Sequence, residues 1–189
     1  MPTGIGFSRA KILMKECPVL TLSDARDNDR LRDLWDCIQD DPLKPLFWSD
    51  WAPQTLEAFI AAVQGQEYAC VIQLSERSVG YAQLTGEKNW PGTHKVRAGE
   101  LEFYMIPEAR GVIALKALRL IIGVLRADGV TQLIAPVQRR HRQVRMLLSH
   151  MGCYRVGILP QWIPVAGVWH DAVLYSLLPP QLGEISGHA

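Results

Sequence analysis

Residues 100–118 read Glu-Leu-Glu-Phe-Tyr-Met-Ile-Pro-Glu-Ala-Arg-Gly-Val-Ile-Ala-Leu-Lys-Ala-Leu. The first part, Glu100 to Ile106, is dense in aromatic and apolar side chains and predicts a strand. Pro107 lacks the N–H that a ladder requires, so the strand ends there. Arg110-Gly111 then opens a run of good helix formers, Ala114, Leu115, Lys116, Ala117 and Leu118. A strand, a Pro/Gly turn and a helix make a place to hold phosphate. The first N–H groups of a helix have no internal partner and sit at the positive end of its dipole.

Working outward, the helix from Arg110 to Ala127 places Lys116, Arg119, Gly123 and Arg126 on one polar stripe, with almost everything else apolar. It should pack deeply on a sheet. Asp128-Gly129 closes it. Thr131 to Val137 predicts a central strand, Gln138 to Met151 a helix stopped by Gly152, Cys153 to Ile158 a strand, Trp162 to Trp169 a hairpin-like excursion, and Ala172 to Leu178 the last strand. Towards the N-terminus, Glu67 to Leu74 and Ser78 to Thr85 form a hairpin through Ser75 to Arg77. Gly86 to Gly99 reads as a loop. Leu31, Leu34, Trp35 and Ile38 recur at helical spacing in a helix capped by Ser23 or Asp24 and ended by Asp40-Asp41-Pro42. Leu56, Phe59, Ile60 and Val63 mark a second helix over Gln54 to Gln64. Between these two lies an aromatic loop, Pro45 to Pro53. A short strand covers Pro18 to Leu22.

The order β-α-α-β-β-β-α-β-α-β-β predicts one α/β (α+β) domain over residues 16–180. Residues 1–15 should form a flexible arm and 181–189 a disordered tail. A chain of 189 residues is long enough to bury a real core. The net charge of +1 gives no overall attraction to nucleic acid or to anionic membrane. Cys17, Cys37, Cys70 and Cys153 are widely spread, which fits reduced thiols better than a disulfide framework or a zinc site. There is no signal-peptide pattern, and Lys116, Arg119 and Arg126 interrupt the greasiest segment. The expectation is a soluble cytoplasmic protein.

The strand, Pro-Glu-Ala-Arg-Gly and helix together resemble the acetyl-CoA-binding segment of the GNAT superfamily of N-acetyltransferases. That family writes its turn Arg/Gln-x-x-Gly-x-Gly/Ala. Arg110 and Gly111 match, and Ile113 and Leu115 stand where the family usually has small residues. Three further pieces carry the resemblance, which covers roughly Val19 to Leu178. Val79-Gly80-Tyr81-Ala82-Gln83-Leu84 is similar to the family's x-Gly-x-x-x-Leu strand. His150-Met151-Gly152-Cys153 is similar to its Lys-x-Gly-Phe helix ending. Val168 to Leu178 resembles the last strand of members related to ribosomal-protein N-terminal acetyltransferases. The implied fold is a mixed, mostly antiparallel sheet of about seven strands flanked by about four helices.

The resemblance implies acetyl-CoA as cofactor. The backbone of Tyr104, Met105 and Ile106 would pair with the pantetheine arm, and the N–H groups around Arg110, Gly111, Val112, Ile113 and Ala114 would hold the pyrophosphate. Glu100 occupies the place where some members carry a general base. Glu102, two residues on, shares its strand face; either could accept a proton through water, or both could face solvent. The usual Tyr acid is replaced by Leu148. His141, on the first turn of its helix where many members have Asn, could bond the pantetheine, and a surface histidine is the plainer reading. Tyr154 and Tyr175 read as core. His170 and Asp171 fall on opposite sides of a strand.

Two functions follow. One is acetyl transfer to a primary amine of a small molecule or protein, by direct attack in a ternary complex. The other is a GNAT fold without catalysis, an interaction protein or homodimer. Its Arg-Gly-x-x-Ala turn also resembles chains encoded in phage assembly regions, which would place it in a virion. A nucleic-acid-binding role rests only on Arg139, Arg140, His141, Arg142 and Arg145, and the neutral total charge speaks against it.

Overall fold

A computed structural model describes residues 11–12, 20–66, 68–89 and 97–177. The expected arm at 1–15, apart from Lys11–Ile12, the middle of the 86–99 loop, Pro179-Pro180 and the tail lie outside the described residues. In chain order the elements are β1 (Lys11–Ile12), β2 (Leu20–Asp24), α1 (Asn28–Gln39), α2 (Lys44–Phe47), α3 (Leu56–Gln64), β3 (Ala69–Leu74), β4 (Arg77–Asn89) and β5 (Arg97–Met105). A 3-10 turn (Pro107–Ala109), α4 (Val112–Ala127), β6 (Val130–Gln138), α5 (Arg142–His150), β7 (Tyr154–Val165) and β8 (Val168–Leu177) follow. The strands hydrogen-bond in the order β1-β2-β3-β4-β5-β6-β8-β7. β5 and β6 run parallel; the β1–β2, β2–β3, β3–β4, β6–β8 and β7–β8 pairs are antiparallel. This is the mixed, mostly antiparallel α/β sheet expected, with the two-residue β1 as an addition.

The chain forms two compact units. The first comprises Met1–Asp41, Pro53–Leu84 and Glu102–Ala117. Here β2 pairs with β3 from Leu20↔Leu74 to Asp24↔Cys70. Ser23 and Asp24 are thereby strand residues, not the helix cap. Asp27 caps α1 instead, its carboxylate accepting from the Arg30 N–H at 3.3 Å. Thr55 caps α3 in the same way, accepting from Ala58 N–H at 3.2 Å. The β3–β4 turn has positive φ at Ser75 (47°) and Glu76 (74°), the hand that suits a two-residue hairpin. Leu31, Leu34 and Ile38 of α1 and Phe59 and Val63 of α3 are buried. A line of rings runs Trp35, Phe59, Tyr81, Tyr104 with centroid spacings of 5.6, 5.3 and 6.1 Å.

The second unit comprises Pro42–Ala52, Thr85–Leu101 and Leu118–Ala189. The parallel ladder of β5 and β6 runs from Arg97↔Val130 to Glu100↔Ile134, and α4 supplies the crossover that parallel strands need. Pro136, with no N–H to donate, falls beyond the last of these pairs. β6 continues against β8 through Gln138↔Ala172. Pairing with β8 therefore holds Gln138 in the sheet, and α5 starts at Arg142 rather than at Gln138. β7 likewise runs on to Val165 instead of stopping at Ile158, and turns into β8 through Ala166-Gly167. As the last strand in the order it accommodates Pro160 and Pro164, with register shifts along its length.

The aromatic loop contains the short α2 and ends on this hairpin. The Asp50 carboxylate accepts from the N–H groups of Ala166 (2.8 Å) and Gly167 (2.9 Å), and the Asp50 N–H donates to the Pro164 carbonyl at 2.8 Å. Trp51 consequently stands edge-on to Trp169 at 5.8 Å, both more than half exposed, while Trp48 is buried.

Candidate functional site

The stretch from β5 into α4 lies in the first unit from Glu102 to Ala117. Its turn is tighter than the sequence suggested, because a 3-10 turn intervenes: Ala109 N–H donates to the Ile106 carbonyl at 3.0 Å and Arg110 N–H to Pro107 at 3.4 Å. Arg110 is thus not helical. Gly111 has φ +81°, a conformation that disfavours any side chain, and a Cβ there would meet nothing within 4 Å. Its carbonyl accepts from Leu115 N–H at 3.0 Å, the first bond of α4. The N–H groups of Val112, Ile113 and Ala114 precede that bond and have no helical carbonyl to reach. Gly111 and Val112 are exposed, whereas Ile113 and Leu115 are half-buried. Open space over a glycine, beside three amides at the positive end of a 16-residue helix, fits a phosphate group.

The strand side is less open than expected. Ile106 N–H donates to the Val79 carbonyl at 2.9 Å, so it cannot also serve an added strand. Alternation turns the Met105 amide away from Val79. The Met105 carbonyl accepts from Arg110 Nε at 3.1 Å. Tyr104 is buried, and its phenol donates to Asp41 Oδ2 at 3.1 Å. Arg110 Nη2 pairs with the same carboxylate oxygen, whose side chain has no exposed surface. Burial, followed by the Asp41 charge, pushes the Tyr104 phenol well above its ordinary range.

Glu102 is drawn into the same unit. Its Oε2 accepts from Gln83 Nε2 at 2.5 Å. Burial pushes the carboxyl above the usual carboxylate range, and the Gln83 N–H opposes part of that rise. Gln83 is itself buried, and its Oε1 has no hydrogen-bond partner among the described residues. A half-buried carboxylate with a raised affinity for protons is chemically a base. Sequence reasoning missed Gln83 and Asp41. The signal for Gln83 was a lone amide between the apolar Ala82 and Leu84.

Glu100 and His141 belong to the second unit. Glu100 is half-buried, and its carbonyl accepts from Thr85 Oγ1 at 3.4 Å. His141 is not a surface residue on a helical turn. It stands ahead of α5 at the N-cap position, 7% exposed, with no capping bond from its side chain. Arg139 pairs with Asp171 at 3.5 Å, and Arg140 donates to Gln138 Oε1 (3.0 Å) and the Pro45 carbonyl (3.3 Å). Arg139 and Arg140 are both exposed, as a solvated face would have them, and also reach β8 and α2 through these bonds. Leu148 is buried and carries no proton. Tyr175 is core as expected, but Tyr154 is 58% exposed, because it lies on the edge strand β7.

No protein-family model and no curated protein matches the sequence. Solved structures do match the fold. Mycobacterium smegmatis RimJ in complex with CoA-disulfide superposes with a TM-score of 0.67 at 22% identity, over 87% of this chain and 84% of that one. The ribosomal-protein-S5-alanine acetyltransferase of Vibrio fischeri gives 0.71 at 15% identity, over 90% and 97%. RimL, a ribosomal L7/L12 alpha-N-protein acetyltransferase in complex with coenzyme A, gives 0.71 at 16%, over 89% and 97%. The chain has the GNAT N-acetyltransferase fold.

Proposed function

We propose that the protein is an acetyl-CoA-dependent N-acyltransferase that acts on a primary amine by direct transfer in a ternary complex. The observation that carries this reading is the turn between β5 and α4, where Gly111 at φ +81° opens space beside the first amides of α4. Val112, Ile113 and Ala114 would hold the pyrophosphate through their N–H groups. The Met105 N–H would take the pantetheine arm. Acetyl-CoA, when bound, supplies an activated acetyl thioester. Glu102 takes the proton that the attacking ammonium must lose, through a water, and Gln83 keeps the carboxylate in place. Glu100 and His141 are the other candidates, as a second base and as a hydrogen-bonding group for pantetheine.

The test is calorimetric titration of the purified protein with acetyl-CoA, beside a Gly111→Trp variant that fills the phosphate turn. Micromolar binding that the variant loses is expected. Two of the neighbours act on ribosomal proteins, so an acceptor screen should begin with protein N-terminal amines. Absence of binding at millimolar cofactor overturns the reading. It would favour the second one, a GNAT fold that serves as an interaction protein, for which the buried Leu148 in place of a proton donor speaks.

A further inference from the structure

An arginine two residues ahead of a phosphate-binding helix start would ordinarily be read as a phosphate ligand, since a guanidinium forks onto phosphate oxygens. Two of the three guanidinium nitrogens of Arg110 are engaged elsewhere. Its Nε donates to the Met105 carbonyl at 3.1 Å, and its Nη2 pairs with Asp41. The first bond closes the chain from the last residue of β5 to the residue before Gly111, around the 3-10 turn. The second anchors that closed loop to a carboxylate with no exposed surface. A buried carboxylate is strongly disfavoured unless paired, so Asp41 holds the guanidinium as firmly as Arg110 holds the turn. Tyr104, on β5 itself, donates to the same carboxylate at 3.1 Å. Strand end, turn and helix start are thus three corners of one bracket.

We infer that Asp41 and Arg110 are positioning residues that set the spacing between the pantetheine-binding strand end and the pyrophosphate-binding helix start, and that Arg110 does not itself bind phosphate. The inference rests on the acyltransferase reading. Its distinctive consequence concerns ligands of different reach. CoA spans both subsites and profits from their spacing. Pantetheine occupies only the strand end, and ADP carries a pyrophosphate only to the helix start.

The experiment measures binding of CoA by calorimetry, and of pantetheine and ADP by saturation-transfer NMR, to the wild type, Asp41→Asn and Arg110→Lys. Loosening the bracket should weaken CoA about tenfold in both variants and change either fragment by less than about twofold, because only a linked ligand loses by mismatched subsites. An Asp41→Asn protein that binds CoA equally well or more tightly overturns the inference, since release of the guanidinium would then help or be neutral. So does an equal loss of ADP and CoA, which would make Arg110 a phosphate ligand or the turn simply unfolded. If Asp41→Asn does not fold, Tyr104→Phe weakens the bracket from the strand side and is read with the same three ligands. Failure of the wild type to bind CoA sinks the acyltransferase reading instead, so the two failures are distinct.

Discussion

Replacing Glu102 with Gln should make the protein more stable while impairing transfer. Gln83 Nε2 donates to Glu102, and Gln83 Oε1 is buried without a partner among the described residues. An orphaned buried acceptor costs about 1–3 kcal/mol, and a new hydrogen bond contributes about 1 kcal/mol net. The amide of Gln at 102 keeps the existing bond through its oxygen and offers an N–H to Gln83 Oε1. A gain of about 1–2 kcal/mol is expected at pH 8, which in a chain of this size corresponds to about 2–8 °C in Tm. The sign depends on pH. Glu102 has a raised pKa in the fold, so its contribution to stability is fully present below the unfolded value of about 4.3 and is lost as pH rises through the folded one. The physical cause is burial, which penalises the ionised carboxylate and not the neutral acid, while the Gln83 N–H offsets only part of that penalty. The advantage of Glu102→Gln over the wild type should therefore be small at pH 5 and grow towards pH 8. Thermal melts followed by circular dichroism across that range measure it. A variant less stable than the wild type at pH 8, or an advantage that shrinks as pH rises, would refute the reasoning. With an acceptor in hand, the same variant should lose roughly 10²-fold or more in transfer rate if Glu102 is the base.

Other expectations follow from single positions. Gly111→Ala should cost about 1–2 kcal/mol in a denaturant titration, from the positive φ alone, since a Cβ there meets no neighbour. Gly80→Ala should cost more and by a different route, because its Cβ would run into the Tyr104 carbonyl and the Met105 Sδ; failure to detect a loss in the melting temperature would show that β4 and β5 can part at this point. Cys70 is buried and its thiol is pushed up to about 12, so in the native state it should resist iodoacetamide at pH 8, as mass spectrometry of the digested protein can show. Asp50→Ala removes the acceptor of two hairpin amides and should release Trp51 from Trp169, seen as a changed near-ultraviolet dichroism without loss of the far-ultraviolet signal.

What depends on near neighbours is legible in the order of residues. The spacing of Leu31, Leu34 and Ile38 and of Phe59 and Val63 marked α1 and α3, the apolar face from Ala114 to Leu125 marked α4, and Pro107 with Gly111 marked the turn that the candidate site is built on. These signals are local because helix and strand periodicity, and the φ limits of Pro and Gly, are set within a few residues. What depends on distant partners is set only when the chain packs. Gln138 reads as helical until Ala172 claims it for the sheet, and β7 reads as short until the β8 ladder carries it past two prolines. His141 reads as a surface residue, and the turn between β6 and α5 buries it. The Asp41–Arg110 pair joins residues 69 apart, and Gln83 meets Glu102 from 19 residues away. Both pairs couple charge to burial, and burial is a property of the packed chain, with no periodicity to announce it.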